Sequence, residues 1–167
     1  MKPVVVDTNV AVVANDASLP ANTAITRPLD CVVACIKAIR ELTEAGHLVL
    51  DTTGFIFDEY KTYLSFSGQP GVGDVFMKWV HDRQWNPEFC TRVEITPDDS
   101  KGFVEFPDHP ELADFDWSDR KFVAVARAHG KDVRILQAVD EDAWVQVEDV
   151  LSENGAPVRF LCRGMLD

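Results

Sequence analysis

The feature that most constrains this chain is a recurring unit: a short apolar run ends at an acid and gives way to a stretch with helical spacing. Val4-Val5-Val6 runs into Asp7, and His47-Leu48-Val49-Leu50 runs into Asp51. Runs this short and unbroken suit strands covered on both faces, because a half-exposed strand alternates apolar with polar residues. Val4 to Val6 is therefore expected at the centre of a sheet, with its carboxyl end at Asp7.

The segments between the runs read as loops and helices. Residues 15 to 28 mix Asn, Asp, Ser, Pro and Thr, a loop composition. Asp30 can then cap a helix whose apolar residues Val33, Ile36, Ala38, Ile39 and Leu42 recur at helical spacing up to Gly46. Thr52 or Thr53 can cap a helix from Gly54 to about Phe66, and Gly68, Pro70, Gly71 and Gly73 mark a turn. Val75, Phe76, Trp79 and Val80 define an amphipathic helix ending near Gln84, and Thr91 to Thr96 reads as a short strand. From Pro97 to Phe115 the pattern is broken by prolines, aspartates and a glycine, so this is expected to be the least ordered part. Ser118 is placed as an N-cap with Asp119 in the first helical turn, before Phe122, Val123, Val125 and Ala126 along one face and a stop at His129-Gly130.

A strand Val133 to Leu136, a helical stretch from about Trp144 to Leu151, a turn at Asn154-Gly155 and a final run Val158 to Cys162 complete the chain. Five β segments alternating with helices predict an α/β fold with a mostly parallel sheet of about five strands, whose ligands bind outside the carboxyl ends of the strands. The 167 residues show no repeat and no long linker, so residues 1–167 are read as a single domain.

Composition narrows the functional classes. Hydrophobic residues at 46% and charged residues at 26% fit a globular chain rather than a disordered one. The start lacks a signal-type apolar segment and a spanning helix, so no membrane association and a cytoplasmic location are expected. The four cysteines (31, 35, 90, 162) form no CxxC pair and are expected to be reduced, buried thiols without a disulfide. Cys31 and Cys35 would share a helical face and could hold a soft metal with two further ligands, but no partner pair is visible in sequence and the four histidines are scattered. The net charge of −12 argues against a generic nucleic-acid coat, unless part of it is neutralised by divalent cations held among carboxylates.

Four carboxylates fall where such a sheet gathers ligands. Asp7 and Asp140 follow strands, Asp119 opens a helix entering from the same side, and Glu59 lies about two turns into the helix after the second strand. Carboxylates packed together repel and raise one another's pKa, so a real cluster implies a cation. Oxygen-only ligands select Mg2+ or Mn2+, and such a site can activate water for attack on a phosphodiester. Taken singly, each acid has a plainer reading: Asp7 can cap a loop at Thr8-Asn9, Asp119 can complement a helix dipole, and Glu59 can be solvated.

The wording of the local motifs adds a resemblance. Val-Val-Val-Asp7-Thr8-Asn9, Asp58-Glu59-Tyr60, Ser118-Asp119-Arg120-Lys121-Phe122-Val123-Ala124-Val125-Ala126 and Ala138-Val139-Asp140-Glu141-Asp142-Ala143-Trp144 resemble a PIN domain. The resemblance implies an α/β/α sandwich that cuts single-stranded RNA with Mg2+ or Mn2+, in many cases as the toxin of a toxin–antitoxin pair. It implies Asp7, Glu59, Asp119 and Asp140 as metal-binding acids, Asp142 as an accessory ligand, and Thr8 and Asn9 as supporting residues. Asp116 either faces the pocket or is a loop acid. An antitoxin or other protein partner and a homodimer are compatible with it. The stretch between Ser67 and Trp117 lies outside the matched motifs.

Among the aromatic residues, Trp79, Trp85, Trp117 and Trp144, with Phe103, Phe106 and Phe115, read mainly as core, with Trp117 kept as a base-stacking candidate beside two acids. Arg120 and Lys121 are candidates to guide a phosphate, or else solvated helix charges. Two other classes stand beside the nuclease reading. One is a non-catalytic PIN-like interaction module with a basic partner; the other is a Mg2+-dependent phosphatase-like α/β hydrolase, disfavoured because Asn9 stands where a second Asp would be needed.

Overall fold

The computed structural model describes residues 2–20, 22–23, 27–130, 132–139 and 142–165. In chain order its elements are β1 (Val4–Val6), α1 (Thr8–Ala14), α2 (Leu29–Ala45), β2 (Leu48–Asp51), α3 (Phe55–Tyr63), α4 (Val72–Arg83) and β3 (Cys90–Val93). A small hairpin of β4 (Pro97–Asp98) and β5 (Gly102–Phe103) follows, then α5 (Arg120–His129), β6 (Arg134–Gln137), α6 (Asp142–Val145), α7 (Glu148–Glu153) and β7 (Val158–Phe160). Short 3-10 turns cover Asn15–Ser18, Pro110–Leu112 and Trp117–Asp119.

The main sheet has five strands in the order β3-β2-β1-β6-β7, and every pairing is parallel. The sheet is thus wholly parallel, with β1 at its centre. Val4, Val5 and Val6 are buried, as a strand covered on both faces requires. From β1 the chain steps outward to β2 and β3, then returns to the other side of β1 for β6 and β7. Crossovers of constant hand that reverse their direction of travel put the later helices on the opposite face. Accordingly α1, α2 and α4 pack together, while α5 lies across β1, β2, β3 and β6. This is an α/β/α sandwich, and the reversal leaves a crevice where β1 and β6 separate at their carboxyl ends.

The sequence reading differs from the structure at several places. Residues 8–14 form a helix rather than leading straight into a loop, because Asp7 caps them, its Oδ1 accepting from Asn9 N at 2.9 Å. The cap of α3 is Asp51, not Thr52 or Thr53: its fully buried carboxylate accepts from Gly54 N at 2.6 Å, Phe55 N at 2.7 Å and Ile56 N at 3.0 Å. Gly54 takes a positive φ of 99° to turn the chain over that carboxylate. Pro28, not Asp30, precedes α2.

The stretch from Pro97 to Phe115 is ordered around Arg120. This arginine is 3% exposed, and its guanidinium donates five hydrogen bonds to four backbone carbonyls: Lys101 O, Leu112 O, Ala113 O and twice Phe115 O. The rings of Phe106 and Trp117 lie 4.4 and 4.7 Å from it, and Phe103, Phe106, Leu112 and Phe115 are buried. A planar five-donor fork satisfies loop carbonyls that would otherwise be buried without partners.

Cys31 at the start of α2 and Cys162 just after β7 form a disulfide across 131 residues, with Cα atoms 4.9 Å apart. The expectation of unpaired thiols fails for these two because only the fold brings them together; Cys35 and Cys90 are free and buried. No helix among the described residues is long and apolar enough to cross a membrane.

Candidate active site

Asp7 stands at the junction of β1 and α1, where its backbone N–H donates to Leu136 O at 3.0 Å and so spans the crevice between β1 and β6. The residue is 5% exposed. Two neighbours fix this point further. The amide oxygen of Asn9 accepts from Ala138 N at 3.2 Å, bridging to the end of β6. The buried hydroxyl of Tyr60 donates to Val6 O at 2.6 Å, tying α3 to β1. Burial and the neighbouring Asp7 and Glu59 carboxylates hold the Tyr60 phenol well above its usual pKa, so it remains a donor.

Glu59 projects from α3 and is engaged at both oxygens. Thr8 Oγ1 donates to Oε2, and Lys121 Nζ donates to Oε1 at 2.8 Å. The ammonium of Lys121 also donates to Ser118 O. Asp119, at the foot of α5, accepts from Trp144 Nε1 at 3.2 Å. Burial chiefly, aided by Asp116 and Glu59 and opposed by Trp144 and Lys121, pushes its carboxyl up to about 6. The main cause of the rise is loss of solvent, and the neighbouring carboxylates add to it; a cation in the cleft would favour the ionised form.

Asp7, Thr8, Asn9, Val12, Glu59, Tyr63, Ser118, Asp119 and Gln137 line one cleft of about 270 Å³ at the carboxyl end of the sheet. A larger cavity of about 670 Å³, lined by Lys2, Arg127, Arg134, Ser152 and Asn154 among others, contains none of these acids. Of the four acids read from sequence, three therefore share the cleft. Asp140 lies outside the described residues, and of Asp142 only the backbone is described. Asp116 is instead a cap, its Oδ1 accepting from Ser118 N and Oγ, both at 2.7 Å, and those bonds hold its carboxyl below the usual range.

The remaining candidates separate clearly. Arg120 is turned into the interior, with its guanidinium engaged by loop carbonyls, so it does not face a phosphate. Lys121 sits among the acids as a counter-ion, its side chain 12% exposed. Trp117 is half exposed but stacks on Arg120 outside the cleft lining, and Trp144 is buried, packing on Phe115. Tyr63, Val12 and Gln137 line the cleft without having been singled out in sequence, and Ser118, read there only as an N-cap, lines it too. Tyr63 was findable, since four residues after Glu59 it shares that helix face.

The donors Asp7, Glu59 and Asp119 are hard oxygens lining one cleft, as Mg2+ or Mn2+ requires. Glu59 fits less directly, because a cation would have to displace Lys121 from it. Among the described residues the one group of three or more candidate ligands close enough to share an ion is Cys31, Cys35 and Cys162, so the acids form a more open set.

Comparison of the chain with models of known protein families, with curated proteins and with solved structures finds no match.

Proposed function

We propose that the protein is a metal-dependent endoribonuclease that hydrolyses phosphodiester bonds of single-stranded RNA, as its PIN-like motifs imply. The observation that carries this reading is that Asp7, Glu59 and Asp119, from three separate elements, line one cleft where β1 and β6 part. Asp7 and Asp119 would hold Mg2+ or Mn2+, with Glu59 joining once Lys121 swings away. When bound, the cation supplies water activation and offsets charge on the phosphate. The chain's own residues do the positioning. Asn9 and Tyr60 anchor the backbone around Asp7, Trp144 orients Asp119, and Tyr63, 63% exposed at the rim, offers a face on which an unpaired base can stack. Lys121, released from Glu59, would face the scissile phosphate. A toxin role in the cytoplasm, with a basic antitoxin offsetting the −12 charge, belongs to the same reading.

One observation favours the second reading, a non-catalytic PIN-like interaction module: Lys121 already balances Glu59 without a cation. Incubating the protein with single-stranded RNA, double-stranded RNA and an aryl phosphate in Mg2+ or Mn2+ separates the possibilities. Cleavage of the single strand alone supports the nuclease. Turnover of the aryl phosphate alone points to a phosphatase-like hydrolase, and inertness toward all three to the binding module.

A further inference from the structure

Cys31, Cys35 and Cys162 meet against α2, and none of them lines the carboxylate cleft. Their sulfur atoms all lie within 4.8 Å of one another, and all three residues are fully buried. A disulfide needs two cysteines, and here a third thiol is packed against it. Cys35 stands one helical turn beyond Cys31, so both present sulfur on one face of α2, and Cys162 is delivered to that face by the segment following the edge strand β7.

We propose that, in its reduced form, this cluster is a binding site for a soft, thiophilic d10 metal ion, with Cys31, Cys35 and Cys162 as its three ligands. Soft ions favour thiolate sulfur over the oxygen donors of the carboxylate cleft, so the two sites select different metals. The pairing of residues four apart on a helix with one distant residue is a common way to place ligands around one ion. In a reducing compartment an external dithiol opens the Cys31–Cys162 bond: two electrons and two protons pass to the cysteines, and the reductant becomes the disulfide. Binding then replaces thiol protons by the ion, releasing them to solvent. Cys162 is followed by the exposed Arg163 and Gly164, so the cluster lies next to solvent-facing chain.

The test uses the full chain, reduced without oxygen and titrated with Cd2+ and with Cu+ against a competing chelator. The expected result is one ion per chain and an ultraviolet thiolate-to-metal band, which carboxylate ligation cannot produce. Cys35→Ser should weaken binding by more than about 100-fold, beyond the ~10–100-fold that losing an outer-shell partner costs. On oxidation that variant should still form the Cys31–Cys162 disulfide, which shows that its fold survives. Cys90→Ser, altering a buried cysteine outside the cluster, should bind as the wild type does. Absence of the band in the reduced wild type, its persistence in Cys35→Ser, or its equal loss in Cys90→Ser would overturn the proposal.

Discussion

Asp119→Asn separates what the site needs from what the fold prefers. The substitution keeps the shape and an oxygen to accept from Trp144 Nε1, but removes a carboxylate whose pKa is raised from 3.8 to about 6, mainly by burial. At about 1.36 kcal/mol per pH unit the ionised group costs the folded state at most about 3 kcal/mol, and the partial exposure of Asp119 lowers this to on the order of 1–2 kcal/mol. The sign follows from proton linkage. Between pH 3.8 and about 6 the folded chain holds a proton that the unfolded chain has released, so wild-type stability falls as pH rises through that window. Urea melts of cation-free protein should therefore find Asp119→Asn more stable than the wild type at about pH 8, with the advantage shrinking toward pH 4. Added Mg2+ or Mn2+ should stabilise the wild type and leave the variant unmoved. A variant that is less stable at pH 8, or a difference independent of pH, would refute the argument that Asp119 is a destabilised acid awaiting a cation.

Three further outcomes are expected. Arg120→Met should lose more than about 3 kcal/mol, because four carbonyls lose a charged donor, and hydrogen exchange should accelerate selectively across residues 97–117. Lys121→Met should tighten Mn2+ binding about tenfold in calorimetry, since a nearby positive charge that competes for Glu59 is removed; tenfold is about 1.4 kcal/mol, well within the Coulomb energy of such a pair. Tyr60→Phe should cost about 1–3 kcal/mol in a denaturant melt by leaving Val6 O without its buried donor.

The inner part of the sheet was legible because β1 and β2 are compact apolar runs, and the position of β1 at its centre followed from Val4-Val5-Val6 having no polar face. The placing of Asp7, Glu59 and Asp119 on one cleft was legible for the same reason: strand ends and helix starts in a parallel sheet converge. What escaped sequence reading depended on long-range partners. Arg120 looked like a helix-surface charge, and only the fold shows the four carbonyls it gathers. Lys121, read like Arg120 as either a phosphate guide or a solvated helix charge, pairs with Glu59 across 62 residues. Cys31 and Cys162 stand 131 residues apart, a separation at which spacing carries no signal. Asp51 was passed over as a cap because Thr52 and Thr53 stand nearer the helix, and only the fold shows its carboxylate meeting three N–H donors.

The central claim, that Asp7 and its neighbours form a hydrolytic metal site, is tested most directly by Mn2+-dependent cleavage of a labelled single-stranded RNA by the wild type and by Asp7→Asn. Asn can still accept from Asn9 N, so the variant should retain the cap of α1 and a near-native melting transition. Cleavage should be lost on chelation in the wild type and fall by at least about 100-fold in the folded variant. Equal cleavage by the two proteins, or none by the wild type at any Mn2+ concentration, would contradict the account.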